Sequence, residues 1–199
     1  MTLQNVHGDP IFTKINKHKK QYEYLTKDID TEVIIVGGGV TGSIVGYYFS
    51  KNNIPAVILE KERIAHGSTS ITTSLLQYEL DSNARDLEEY TSLENIITSY
   101  KLGLKALDEL DEFIKEYGNK CKYEKKDTLL YTSKECEVKA MEEEYKTRKN
   151  AGIDVKFISK EDNPFSLDIK GGVYGVNGGA QLDPYEYIYD KYSVKITYI

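Results

Sequence analysis

Between Thr31 and Glu60 the chain reads TEVIIVGGGVTGSIVGYYFSKNNIPAVILE, and few folds accept such a stretch. Val33-Ile34-Ile35-Val36 is a short β-branched run closed by glycine, which predicts a fully buried parallel strand. Gly37, Gly39 and Gly42 follow as G-x-G-x-x-G. Val40 to Ser50 then reads as a helix with Val40, Ile44, Tyr47 and Tyr48 on one face. A second apolar run, Ala56-Val57-Ile58-Leu59, ends in Glu60, eighteen residues past Gly42.

Each piece has a physical task. Gly37 permits a tight strand-to-helix turn, Gly39 lets backbone approach a pyrophosphate, and Gly42 lets the helix settle on the strand. The free first-turn amides around Val40, Thr41 and Gly42 point toward where phosphates would lie, and the helix dipole favours their charge. Glu60 ends the second strand, where a carboxylate accepts hydrogen bonds from an adenosine ribose and disfavours a 2′-phosphate, hence NADP. A glycine turn alone is a weak signal; strand, glycines, helix, strand and acidic end in this order form a dinucleotide-binding unit.

The remaining composition excludes more than it assigns. A net charge of −6 gives no footprint for nucleic acid. No apolar stretch is long enough for a membrane helix, and no secretory leader is visible. Cys121 and Cys136 show neither metal spacing nor a disulfide framework, which predicts reduced thiols in a cytoplasmic protein.

In chain order, residues 1–29 read as a polar arm with a basic cluster at Lys14, Lys17, Lys19 and Lys20, ordered through Ile11, Phe12, Tyr22 and Leu25. His7 and His18 carry no motif there, and His66 reads as a surface loop residue. Gly67 to Ser74, GSTSITTS, has six hydroxyl residues in eight and supplies donors suited to a phosphate or a polar heterocycle. Asn83 to Tyr117 is predicted helical, with an apolar stripe at helical spacing over Leu87 to Ile97 and again over Leu104 to Ile114, stopped at Gly118-Asn119. Cys121 to Lys125 and Thr128 to Thr132 read as paired strands with Lys126-Asp127 at their turn. Ser133 is the expected N-cap of a helix over Lys134 to Asn150 that ends at Gly152. Val155 to Ile158 and Gly171 to Val176 read as strands and Gly178-Gly179 as a turn. Asp183-Pro184 opens a helix, and Val194 to Ile199 is a last strand.

Three segments together resemble the FAD-dependent oxidoreductases of the D-amino-acid oxidase superfamily, which includes glycine oxidase and sarcosine oxidase. They are VIIVGGGVTGSIVGYYFSKNNIPAVILEK, GSTSITTSLLQYELD, and GGAQLDPYEY at Gly178 to Tyr187. The resemblance implies an α/β chain: a Rossmann-like FAD-binding βαβ domain with an inserted α+β substrate-type domain, both incomplete. The implied division is an arm at 1–29, an FAD-binding part at 30–110, part of a substrate domain with a mixed sheet at 111–182, and a return toward the FAD domain at 183–199. The resemblance assigns Gly37, Gly39, Val40, Thr41 and Gly42 to the FAD pyrophosphate, Glu60 to the ribose and Lys61 to the neighbourhood of the adenine. It places Ser68 and Thr69 on phosphate or ribityl oxygens, and Thr72, Thr73, Leu75 and Leu76 along the isoalloxazine. Ser74 reads as a packed hydroxyl. The implied reaction is oxidation of a C–N bond in an amino acid or secondary amine by hydride transfer to flavin N5, and no catalytic residue is assigned. Members of that family are longer, which predicts that this chain is an N-terminal piece. Two alternatives stand beside this reading. An NAD(P)H-dependent disulfide-type reductase would want a C-x-x-C pair and a second G-x-G-x-x-G, and neither is present. A non-enzymatic nucleotide-binding fragment or pseudoenzyme would keep the cradle without the chemistry.

Overall fold

The computed structural model describes residues 8, 10–16, 22–190 and 197–198. The elements run α1 (Ile11–Ile15), β1 (Val33–Val36), α2 (Val40–Lys51), β2 (Ala56–Leu59), a 3-10 turn at Ser68–Ile71, β3 (Leu75–Gln77), α3 (Ala84–Leu87) and α4 (Leu93–Tyr117). They continue with β4 (Glu124–Thr132), a 3-10 turn at Glu135–Glu137, α5 (Val138–Asn150), β5 (Val155–Ser159), β6 (Gly171–Gln181), α6 (Pro184–Asp190) and β7 (Thr197–Tyr198). They fall into two compact units. The first holds residues 1–74, 119–123 and 182–199; the second holds residues 75–118 and 124–181. Helix α4 lies wholly in the second unit.

The first unit is built on the parallel sheet β1-β2-β7. β1 and β2 pair in register from Val33 opposite Ala56 to Val36 opposite Leu59. α2 covers one face through Ser43, Gly46 and Tyr47 rather than the expected Tyr48, which is exposed. The reason is steric: a Cβ on Gly46 would stand 2.9 Å from Ile58 Cδ1, so the helix sits down on its smallest side chains. Ile58, Ile64, Ala65, Tyr185 and Ile188 form the core, with Phe12, Tyr22, Ile35 and Val40 packed on it. β1 is not the fully buried strand expected from its composition. It alternates, with Ile34 62% and Val36 86% exposed, because α2 covers only the opposite face. Of the arm residues expected to pack, Phe12 and Tyr22 do so, whereas Ile11 and Leu25 are exposed. Lys17, Lys19, Lys20, His7, His18 and residues 194–196 lie outside the described residues.

The second unit is an antiparallel sheet in which β6 pairs with β3, β4 and β5. Its core joins Tyr78, Ala84, Ile96, Tyr100, Ile153, Val155 and Val173. Four sequence expectations are corrected here. The helical stretch is interrupted after α3, and α4 restarts with Ser92 accepting the Asn95 amide at its N-cap. The two strands expected around Lys126-Asp127 are one strand, β4, with a bulge between Lys126 and Thr128. Asp127 sits at the bulge, where the Tyr174 hydroxyl and the Asn177 amide donate to its carboxylate and hold it below the usual carboxylate range. Gly178-Gly179 is not a turn but part of β6; a Cβ on Gly179 would meet Leu76 O at 2.7 Å, so glycine admits the neighbouring strand. The turn ahead of α5 is secured by Thr132 rather than Ser133: its hydroxyl accepts the Lys134 amide and donates to Glu137.

Candidate functional site

The predicted cradle lies in the first unit at the carboxyl ends of β1 and β2. Gly37 has φ +105°, a conformation that L side chains avoid, and its amide donates to Leu59 O at 2.8 Å. That bond ties the turn to the end of β2, and the chain then enters α2. Gly42 lies over the turn so closely that a Cβ would be 2.0 Å from Gly37 O. A side chain is thus excluded there by contact with backbone that has nowhere to move.

Glu60 is held by two backbone amides. Gly38 N–H donates to Oε2 at 2.7 Å and Glu62 N–H donates to Oε1 at 3.0 Å, fixing the carboxylate beside the glycine turn. Gly38 is the member of the set that the G-x-G-x-x-G spacing passes over. It is buried, its carbonyl accepts Ala65 N–H at 3.0 Å, and a Cβ would stand 3.0 Å from Ile64 Cγ1. The middle glycine of an unbroken G-G-G was the available signal. Lys61 follows Glu60 and is exposed.

The first-turn amides of α2 have no intrahelical acceptor. One of them, Val40 N–H, donates to Thr69 Oγ1 at 3.1 Å. Gly39 leaves room for this contact, since its Cβ position lies 3.1 Å from the same oxygen. The hydroxyl-rich segment therefore crosses the helix N-terminus, joining two predicted groups far apart in sequence. Thr69 is buried, while Ser68 and Thr41 are exposed. Ser70 donates to His66 O and Gly67 O and so serves the turn itself. Thr72 and Thr73 are exposed; Thr72 Oγ1 accepts Ser74 N–H at 3.2 Å. Ser74 is buried with φ +55°. Leu75 and Leu76 belong to the second unit, on β3, with Leu75 64% exposed.

His66 is a correction. It is half-buried, its ring lies 6.0 Å from that of Tyr185, and Nδ1 is 2.9 Å from Ile64 O. Burial, and then its bond to the Tyr189 hydroxyl, holds the Tyr185 phenol above its usual range, so this aromatic group is neutral at ordinary pH. Asp183 caps α6 as expected, accepting Tyr185 N–H and Glu186 N–H on Oδ1, both at 3.0 Å. Among the described residues no group of three His, Cys, Asp or Glu side chains could hold a metal, and no helix is long and apolar enough to cross a membrane. Cys121 is buried and Cys136 is exposed, and neither is in a disulfide.

A profile of the family described as DAO, FAD dependent oxidoreductase, matches residues 32–189. A Bacillus subtilis (strain 168) protein, YhfW, named for a Rieske 2Fe-2S iron-sulfur protein, is 25% identical over 177 residues, covering 89% of this chain and 34% of its own. A Rieske cluster needs paired cysteine and histidine ligands, and no Cys-x-His spacing occurs here. Glycine oxidase from Geobacillus kaustophilus superposes with a TM-score of 0.67 at 20% identity, covering 85% of this chain and 46% of that one. L-Amino acid deaminase from Proteus myxofaciens, in complex with anthranilate, gives 0.69 at 13% identity, covering 90% and 40%. The chain thus spans between a third and a half of the length of these relatives.

Proposed function

The chain belongs to the FAD-dependent oxidoreductase family, and from that premise we propose that it binds FAD in an enzyme that oxidises a C–N bond of an amino acid or secondary amine. The observation that carries the reading is the closed set of contacts in the first unit: Gly37 and Gly42 interlocked, Glu60 clamped by two amides, and Thr69 on the first turn of α2. This donor set fits an adenosine diphosphate moiety. It offers backbone amides and a helix N-terminus for phosphate and a fixed carboxylate for a ribose diol. The glycine oxidase and amino acid deaminase likenesses support the substrate class.

In this reading Gly37, Gly39, Val40, Thr41 and Gly42 hold the pyrophosphate, and Glu60 accepts from the ribose while Gly38 N–H keeps it oriented. Lys61 lies by the adenine, and Ser68 and Thr69 serve phosphate or ribityl oxygens. Thr72, Thr73, Leu75 and Leu76 border the ring. When bound, FAD would supply the two-electron chemistry, hydride transfer to N5 from the carbon beside nitrogen, with the resulting imine hydrolysed by water. The protein's part is to bind and orient. The second unit then corresponds to substrate-domain structure.

The test is an absorption spectrum of the purified protein before and after adding FAD and removing the excess. Retained flavin bands, bleached on adding an amine or amino acid from a panel, are the expected result. A protein that keeps no flavin overturns the cofactor assignment. Retained flavin that no amine or amino acid reduces overturns the substrate class.

A further inference from the structure

We propose that Asn16 is a positioning residue of the cofactor seat, acting through the hydroxyl-rich turn; this rests on the FAD reading above. α1 has only five residues and cannot hold its shape alone. It is fixed from two sides. Phe12 packs on the first unit's core. Asn16, buried with 9% exposure, donates from Nδ2 to Phe12 O at 2.9 Å and to Asp183 Oδ2 at 2.7 Å, bridging 167 positions of sequence.

Asp183 is a knot. Its other oxygen caps α6, its own amide donates to Cys121 O at 2.7 Å, and it is 5% exposed. With both carboxylate oxygens engaged in a buried site, its position is over-determined, and a donor bonded to it inherits that rigidity. α1 so anchored lies against both α6 and the Ser68–Ile71 turn. That turn carries Thr69, whose hydroxyl meets the first turn of α2. The line of contact runs from Asp183 through Asn16 and α1 to the turn and to Thr69, all within one unit. A buried hydroxyl that meets a helix N-terminus needs such a support to stay within a fraction of an ångström of its place. The arm thus forms part of the seat, although no motif marks it.

The experiment titrates the 199-residue apo protein with FAD by flavin fluorescence, for wild type, Asn16→Ala, Thr69→Val and the double variant. Amide hydrogen exchange at Ser70, whose N–H donates within the turn, is followed in parallel. Asn16→Ala is expected to weaken FAD about tenfold, the worth of one buried charge-assisted hydrogen bond, and to speed exchange at Ser70. The double variant is expected to bind no more weakly than Thr69→Val alone, since Asn16 acts through Thr69. Ser92→Ala, a cap lost in the other unit, provides a comparably destabilised protein with unchanged FAD affinity. If Asn16→Ala fails to fold, Asn16→Ser, which keeps a donor, replaces it with the same expectations at smaller size. Wild-type affinity in the Asn16 variant, or effects that simply add in the double variant, overturns the inference while leaving the FAD reading intact. Failure of the wild type to bind FAD removes the reading itself, and the inference with it.

Discussion

At the residue scale the turn between β1 and α2 is decided by a few contacts of opposite tolerance. Gly42→Ala forces a Cβ to within 2.0 Å of Gly37 O, a backbone atom, whereas Gly67→Ala in the next loop meets nothing within 4 Å. The first is expected to lose about 1–3 kcal/mol or more in thermal unfolding together with flavin retention. The second should match wild type in both, and equal behaviour of the two would contradict the cradle geometry. Glu60 separates two roles in the same way. Glu60→Gln keeps an acceptor for Gly38 N–H, while Glu60→Ala strands that buried amide at a cost of about 1–3 kcal/mol. Chemical denaturation should show the alanine variant clearly less stable than the glutamine one, with FAD affinity reduced in both. In the second unit, burial pushes the Tyr78 phenol up to about 12 from 10.0, with Arg148 pulling the other way. Its folded-state value lies above its unfolded one, so the stabilisation is present in full below pH 10 and is lost as pH rises toward 12. The urea midpoint is expected to fall across that window, and Tyr78→Phe should fall less; an equal fall in both would assign the loss to other groups.

At the element scale, intrinsic preference and packing disagree, and the disagreements show where sequence reading stops. Gly103 lies inside α4, where replacing glycine by alanine ordinarily gains about 1 kcal/mol. Here a Cβ would stand 2.8 Å from Tyr78 Cα, so Gly103→Ala is expected to destabilise, as differential scanning calorimetry would record. A raised Tm would mean that the helix shifts freely over Tyr78. The helix and strand bounds of the βαβ unit were legible because each strand is a short apolar run and each element carries its own punctuation. The second unit was not, for the converse reason. Lys126-Asp127 looks like a turn, but the Tyr174 hydroxyl and the Asn177 amide, about fifty positions away, hold Asp127 in a bulge and let β4 run on. Gly178-Gly179 looks like a turn because small residues mark both turns and crowded strands. The Arg148 side chain, bonded to Tyr78, Glu79 and Glu144 and flanked by the rings of Tyr78 and Tyr100, came from a stretch that reads as an ordinary charged helix. Long-range partners of this kind leave no local trace.

At the scale of the whole molecule, the glycine turn was legible because its close backbone contacts demand glycine at fixed spacings, whereas Asn16 and Gly38 became visible only through what they touch. The same distinction governs β1. Its sequence is that of a strand covered on both faces, as parallel sheets require, yet Ile34 and Val36 stand on a face that α2 does not reach. Two large aliphatic side chains, 62% and 86% exposed, on a strand at the end of the described sheet favour association by contact between chains. Sedimentation velocity at rising protein concentration is expected to show self-association that Ile34→Thr with Val36→Thr reduces, while the thermal midpoint stays near wild type because little buried area is lost. Ile35→Thr, on the α2 side and packed on the core, should do the reverse: it lowers the midpoint by about 1–3 kcal/mol in stability and leaves association unchanged. If the paired outer substitutions unfold the protein while Ile35→Thr is silent, the two faces of β1 are reversed, and with them the side of the sheet on which α2 and the cradle are built.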